Sequence, residues 1–215
     1  MCGRFFLDSN LSDIAEHYNA APPDIFSARY NIAPTTPVMA FSKNRLTFFR
    51  WGLIPSWTRD ISLGNRMFNA RGETVSEKPS FRQAYRRRRC LIPANGFYEW
   101  RVENARKQPY CCHIDHSLFS MAGIWELWQD AEGNEIRSCA VITIESKGSM
   151  REIHHRMPVH IEPENYHAWL DCSSEETGNA DELIRNTSPQ YQYYAVNTTV
   201  NNSRAEGRDL INPVD

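Results

Sequence analysis

Five runs of strand character follow one another in the middle of the chain, and they constrain the fold more than any other feature. Residues 89–92, 97–101, 109–114, 119–127 and 138–144 are rich in aromatic and β-branched side chains, and Asp130-Ala131-Glu132-Gly133-Asn134 is a polar turn between the last two. Upstream, 37–42 and 46–51 read as a hairpin turning at Lys43-Asn44, and 191–196 reads as a final strand before a polar loop at 197–202. Helical spacing is confined to short segments. Leu11, Ile14, Ala15 and Tyr18 predict a helix over 9–19 capped by Ser9 or Asn10, and Phe81, Ala84 and Tyr85 predict one over 80–87. Pro163 opens a third helix carrying Tyr166, Trp169 and Leu170, and 179–185 a weaker fourth. Between Thr58 and Glu77 no period is visible, so this stretch reads as a long loop. The fold class expected is α+β: a single β-rich domain over residues 1–215, with mostly antiparallel strands and flanking helices.

Composition narrows the function. With 215 residues, 41% of them hydrophobic, the chain can bury one sizeable core. A net charge of −2 removes any bulk attraction for nucleic acid, so such binding must come from local arginines. The N-terminus lacks a charged start followed by an apolar run, and no stretch approaches membrane-spanning length. A cytoplasmic protein with reduced thiols and no membrane association is expected. Of the six cysteines none forms a C-x-x-C pair with a matching second half, and adjacent Cys111 and Cys112 would face opposite sides of a strand. Neither a metal nor a cofactor is expected.

Four polar features stand out against this scaffold. Cys2 follows Met1, and its small side chain favours removal of the initiator, which would leave an α-amine and a thiol on one residue. Such a 1,2-aminothiol condenses with an aldehyde to a Schiff base and then closes a thiazolidine ring. An α-amine titrates at roughly 7.7–8.0, far below a lysine, so part of it is nucleophilic near neutrality. The plain alternative is an incidental cysteine. The second feature, Asn69-Ala70-Arg71-Gly72-Glu73-Thr74, sets an amide, a guanidinium and a carboxylate beside a glycine. It suits holding a substrate or phosphate, or is a solvated loop. The third is Gly96-Phe97-Tyr98-Glu99-Trp100, where alternation puts Glu99 on the face of Phe97 and Arg101, among aromatics. Desolvation there would raise the carboxyl pKa and suit a general acid, the alternative being an exposed glutamate. The fourth is Ile153-His154-His155-Arg156-Met157-Pro158, held extended by Pro158. It offers a proton-shuttling histidine and an anion-binding arginine, or a decorated surface.

Cys2-Gly3-Arg4-Phe5, Tyr30-Asn31-Ile32-Ala33-Pro34, Trp51-Gly52-Leu53-Ile54-Pro55-Ser56-Trp57, Asn69-Ala70-Arg71, Gly96-Phe97-Tyr98-Glu99-Trp100 and Ile153-His154-His155-Arg156-Met157-Pro158 occur in this order. Together they resemble the SOS-response-associated peptidase (SRAP) family, over nearly the whole chain. The resemblance implies a protein that binds single-stranded DNA at abasic sites, including junctions with duplex. It would crosslink to the ring-opened sugar as a thiazolidine through Cys2, shielding the lesion. It also implies a monomer, cytoplasmic and nucleoid-associated when bound to DNA. Carried over residue by residue, Cys2 is the nucleophile, Asn69 positions it, Glu99 is the acid/base and His154 assists proton transfer. Arg4, Arg71 and Arg156 would contact phosphates, and Trp57 would prop the DNA. The Arg86 to Arg89 run either extends the DNA channel or is a solvated run at a helix end. Thr58 stands where the bacterial pattern has a second tryptophan, His155 where an acidic residue is usual, and Glu73 matches a recurring carboxylate. Two other classes compete: a thiol peptidase, at most self-processing, using Cys2 and His154, and a non-covalent single-strand binding module.

Overall fold

The computed structural model describes residues 2–174 and 176–214. Met1, whose removal the aminothiol chemistry requires, lies outside the described residues. Along the chain β1 (Phe5–Leu7) is followed by α1 (Leu11–Tyr18), β2 (Arg29–Ile32), β3 (Pro37–Ser42) and β4 (Arg45–Trp51). A 3-10 segment at Ile61–Arg66 leads to β5 (Asn69–Arg71) and α2 (Arg82–Arg87). Then come β6 (Arg89–Ala94), β7 (Gly96–Glu103), β8 (Arg106–His113), β9 (Phe119–Gln129) and β10 (Glu135–Glu145), with only turns between them. After β11 (Arg156–Pro158) and β12 (His160–Ile161) come α3 (Tyr166–Leu170), α4 (Gly178–Asn186) and β13 (Gln192–Ala195). The 3-10 segments Thr198–Asn201 and Arg208–Ile211 follow β13.

Local chemistry accounts for the element boundaries. Asn10 caps α1 by accepting from the Asp13 N–H at 2.9 Å, and Asn19 ends it in the left-handed region. Ile14 and Tyr18, four residues apart, form its buried face. Lys43 and Asn44 both have positive φ, the conformation that turns a two-residue hairpin in register with the twist of its strands. Arg86 to Arg89 is not one solvated face. Arg88 pairs with Glu126 at 2.8 Å, and the buried Arg89 donates to the carbonyls of Trp169, Tyr85 and Asp171. That guanidinium satisfies the last carbonyls of two helices, so Arg89 ties helices to the sheet and does not line a channel.

The strands form two sheets. The first runs β13-β8-β7-β1-β2, all antiparallel. In the second, β10-β4-β3-β6-β9 closes back on β10, giving a small barrel extended by β5, β11 and β12. The main core fills the space between the sheets: Phe5 meets Trp51 edge-on at 5.1 Å, and Phe97 meets Tyr191 at 5.1 Å. Phe6, Tyr98 and Cys111 point to the other face of the first sheet, where Val196, Val200 and Leu210 cover them. Cys112 belongs to the first core and Cys111 to the second, as strand alternation requires.

The stretch read as one long loop is more ordered than its sequence suggests. Its residues 69–71 form β5, which pairs parallel with β10, Asn69 opposite Val141 and Arg71 opposite Thr143. Three residues are too few to show a period of two. The approach to β5 depends on Gly52, at φ +134°, where an added Cβ would stand 2.4 Å from the Gly64 carbonyl oxygen. Gly52→Ala should therefore cost about 2–4 kcal/mol, from backbone strain plus a backbone clash. Gly178→Ala, with nothing within 4 Å of the new Cβ, should change little. Urea denaturation of the two variants checks this.

Candidate nucleic-acid reaction site

The first sheet delivers Cys2. The Tyr98 N–H donates to the Arg4 carbonyl at 2.9 Å and the Asn95 N–H to the Phe6 carbonyl at 3.0 Å, so the backbone beyond Cys2 is clamped to β7. The second sheet holds Cys2 from the other side: Asn69 Nδ2 donates to its carbonyl oxygen at 2.7 Å. Asn69 Oδ1 is buried and has no partner among the described residues. It is an acceptor waiting for a donor.

Glu99, on β7, is 2% exposed and faces the core shared by Phe97 and Cys112. Burial pushes its carboxyl up to about 7. Burial also raises the Cys2 thiol far above its usual range, and the nearby Glu99 charge adds to this. The sulfur is thus a neutral thiol at rest. His154 precedes β11, with Nδ1 3.9 Å from Glu99 Oε1. Burial drives the imidazole down to about 4, so near neutrality the two groups share a cavity and are not an ion pair. His154 Nδ1 lies 3.0 Å from the Arg156 N–H and 3.1 Å from the Arg156 carbonyl. Deprotonated it accepts from the first, protonated it donates to the second, so both neutral tautomers find a partner.

The residues expected on DNA differ in how free they are. Arg71 is exposed and its side chain makes no hydrogen bond or ion pair among the described residues. Trp57 is 62% exposed at the surface turn where Thr58 N–H meets the Pro55 carbonyl. Arg4 is half-buried, donating to Asn31 Oδ1 at 2.7 Å and the Val200 carbonyl at 2.9 Å. Arg156 departs most from a phosphate contact. Its terminal nitrogens hold both Glu73 oxygens, at 2.7 and 2.9 Å, and the Thr143 carbonyl. No local sequence pattern shows this, because the carboxylate lies 83 residues away. The pair also gives Glu73 a structural task, bracing β11 beside His154. Thr58 is buried, its hydroxyl capping the Asp60 N–H at 3.1 Å, whereas His155 is exposed with its ring 4.2 Å from that of His154.

A cavity of about 370 Å³ opens on Glu99 and His154 and is completed by Trp100, Lys107 and Asn201. Lys107, at the start of β8, and Asn201, in a polar loop, carry no sequence signal of their own. Among the described residues no group of three or more His, Cys, Asp or Glu side chains gathers to hold a metal, and no helix is long and apolar enough to cross a membrane.

Comparison with known proteins gives one consistent result. The model of a family described as SOS response associated peptidase (SRAP) matches residues 1–203. The chain is 38% identical over 221 residues to the abasic site processing protein YoqW of Bacillus subtilis, covering 98% of this chain and 99% of that one. It is 32% identical to the abasic site processing protein HMCES of Pongo abelii, covering 90% of this chain and 67% of that one. A crystal structure of a protein from Bacteroides thetaiotaomicron superposes with a TM-score of 0.89 at 26% identity, covering 99% of this chain and all of that one.

The buried glutamate sets a pH dependence of stability. Its folded-state pKa, about 7, lies above the ordinary 4.5, so the folded chain binds the proton more tightly. That contribution is fully present below about pH 4.5 and is lost as the pH rises through 7. Glu99→Gln should therefore raise the thermal midpoint at pH 8, with the gain vanishing toward pH 4.5. Thermal unfolding of both proteins across this range checks it.

Proposed function

The chain belongs to the SOS response associated peptidase (SRAP) family, and from that premise we propose that it processes abasic sites in single-stranded DNA by crosslinking to them through Cys2. The observation that carries this reading is the Asn69 clamp on the Cys2 carbonyl beside a buried glutamate whose pKa lies near 7. With Met1 removed, the Cys2 α-amine attacks the C1′ aldehyde of the ring-opened sugar to give a carbinolamine. Loss of water leaves the protonated imine. The thiol sulfur then adds to its carbon, the thiol proton passes to ionised Glu99, and a thiazolidine closes. The adduct is one strand plus the protein minus one water.

Each side chain has a task that suits its environment. The α-amine starts the sequence because the thiol is held neutral by burial. Asn69 Oδ1 is placed to accept from the new amine or from the sugar hydroxyl. Protonated Glu99 donates to the oxygen that leaves, first in opening the sugar and then as water, and ionised Glu99 takes the thiol proton. His154 relays protons between its two neutral tautomers. Arg71 and Trp57 hold the strand by its phosphates and by stacking, contacts that read no sequence. Arg4 reaches the strand from its half-buried position, and Arg156 acts through the ion pair that keeps His154 in place. The protein works as a monomer on single strands and on their junctions with duplex, in the cytoplasm and on the nucleoid. A thiol peptidase needs a thiolate, and here burial drives the Cys2 thiol the opposite way.

The test is incubation with a single-stranded oligonucleotide carrying one abasic site, read by denaturing gel and intact mass. A species heavier by one strand minus one water is expected, and none with Cys2→Ala. Glu99→Gln should slow adduct formation by roughly 10²–10⁴-fold. It should also remove the fall in rate above pH 7 that loss of the acid produces in the parent. An undiminished adduct from Cys2→Ala would sink the mechanism. Equal affinity for intact and abasic strands with no adduct would instead identify a plain binding module.

A further inference from the structure

Two of the five residues lining the reaction cavity carry the acid–base chemistry proposed above. Lys107 and Asn201 have no part in it, yet both line the same cavity. Lys107 lies on β8 opposite Val102 of β7, and Trp100 lies opposite Pro109. Directly opposed residues share a face of the sheet, so Lys107 projects from the same side as Trp100. Its ammonium has no hydrogen bond or ion pair among the described residues, and it is the one cation among the lining side chains.

Asn201 is fixed more tightly than a surface amide. The Trp100 indole N–H donates to Asn201 Oδ1 at 2.6 Å. An indole can only donate, so this bond settles which end of the amide faces it. The two N–H donors on Asn201 Nδ2 are turned elsewhere, with no protein partner among the described residues. The turn that carries Asn201 is itself pinned from below. Arg4 donates to the Val200 carbonyl at 2.9 Å, and Asn31 Nδ2 donates to the carbonyls of Asn202 at 3.0 Å and Ala205 at 2.8 Å. Arg4 also sits over the Trp100 ring, 6.0 Å from its centroid. The amide is therefore oriented before any ligand arrives, and its ordering cost is already met by the fold.

We propose that Lys107 and Asn201 Nδ2 form a subsite for a phosphodiester flanking the reacting sugar, on the wall of the cavity away from the acid–base pair. The assignment rests on the crosslinking reading for the identity of the substrate. A phosphate fits both halves of the subsite: a mobile ammonium supplies charge, and a fixed amide supplies directed donors. Arg71 is presented by the barrel and Lys107 by the first sheet, so a strand lying across the site is gripped by one cation from each. This also explains how a chain with a net charge of −2 holds a polyanion: the cations are placed, not accumulated.

The experiment measures affinity for abasic oligonucleotides in which single linkages around the lesion are neutral methylphosphonates. It uses the parent, Lys107→Ala and Asn201→Ala, at several salt concentrations. In the parent, one flanking linkage should matter most. In Lys107→Ala that linkage should lose its effect while the others keep theirs. The slope of log affinity against log salt should fall by about 0.7, one phosphate contact on a single strand. Asn201→Ala should weaken binding at the same linkage without changing the slope, because no charge is lost. Lys107 is exposed, so its removal does not threaten folding. Unchanged affinity and slope in Lys107→Ala, or equal loss at every linkage, overturns the subsite. Failure of the parent to form any adduct overturns the crosslinking reading instead, and the same linkage scan on an intact strand still decides the subsite.

Discussion

The structure depends on placing the start of the chain in the middle of a sheet. A terminal strand ordinarily frays, since few contacts offset its conformational entropy. Here β1 is hydrogen-bonded on both edges, to β2 and β7, and Phe5 is buried against Trp51. Fraying β1 would break a five-stranded sheet in two and open the main core. The local stability of the first residues is therefore tied to that of the whole fold. Holding Cys2 beside Glu99 turns an encounter between two flexible groups into a fixed geometry, which is where much of the rate of a two-group reaction comes from. The barrel completes the clamp, because Asn69 reaches Cys2 only from a strand attached to β10.

Desolvation then acts on Glu99, the Cys2 thiol and His154 in one direction, toward neutrality. It raises Glu99 and the Cys2 thiol and lowers His154. The Arg156–Glu73 ion pair sits at the edge, where Glu73 is half-exposed and keeps part of its hydration. On the proposed path charge appears as protons move, and Glu99 Oε1 and His154 Nδ1 already lie 3.9 Å apart.

What the sequence disclosed and what it hid divide along physical lines. The five central strands, the hairpin at Lys43-Asn44 and the inward face of Glu99 were legible because each rests on a local rule: alternation, turn chemistry or propensity. Closure of the barrel was not, since it depends on β10 pairing with β4, which lies far away in sequence. β5 was hidden because three residues carry no period, and a parallel partner leaves no turn signal. Arg156 and Arg89 looked like surface cations because the groups that satisfy them are distant in sequence. Asn201 was passed over inside a polar loop. Val200, the apolar residue just before it and fully buried, was the available sign that this loop is anchored.

Burial of the sulfur also imposes an order on the chemistry. A thiol raised far above its usual range exists as thiolate only in a minute fraction, so it attacks slowly until a base stands next to it. Glu99 is such a base once it has given up its proton, and on the proposed path it gives up that proton in the preceding dehydration. The acid form of Glu99 serves the amine step and leaves the base form that the sulfur step needs. One carboxyl with a pKa of about 7 can serve both because the two states are close in free energy near neutrality. A solvent-exposed glutamate would stay ionised and fail at the first step. A more deeply shifted one would stay protonated and fail at the second. On that path the aromatic strand that buries Glu99 is part of the catalytic device, and its sequence alternation is the earliest visible sign of it.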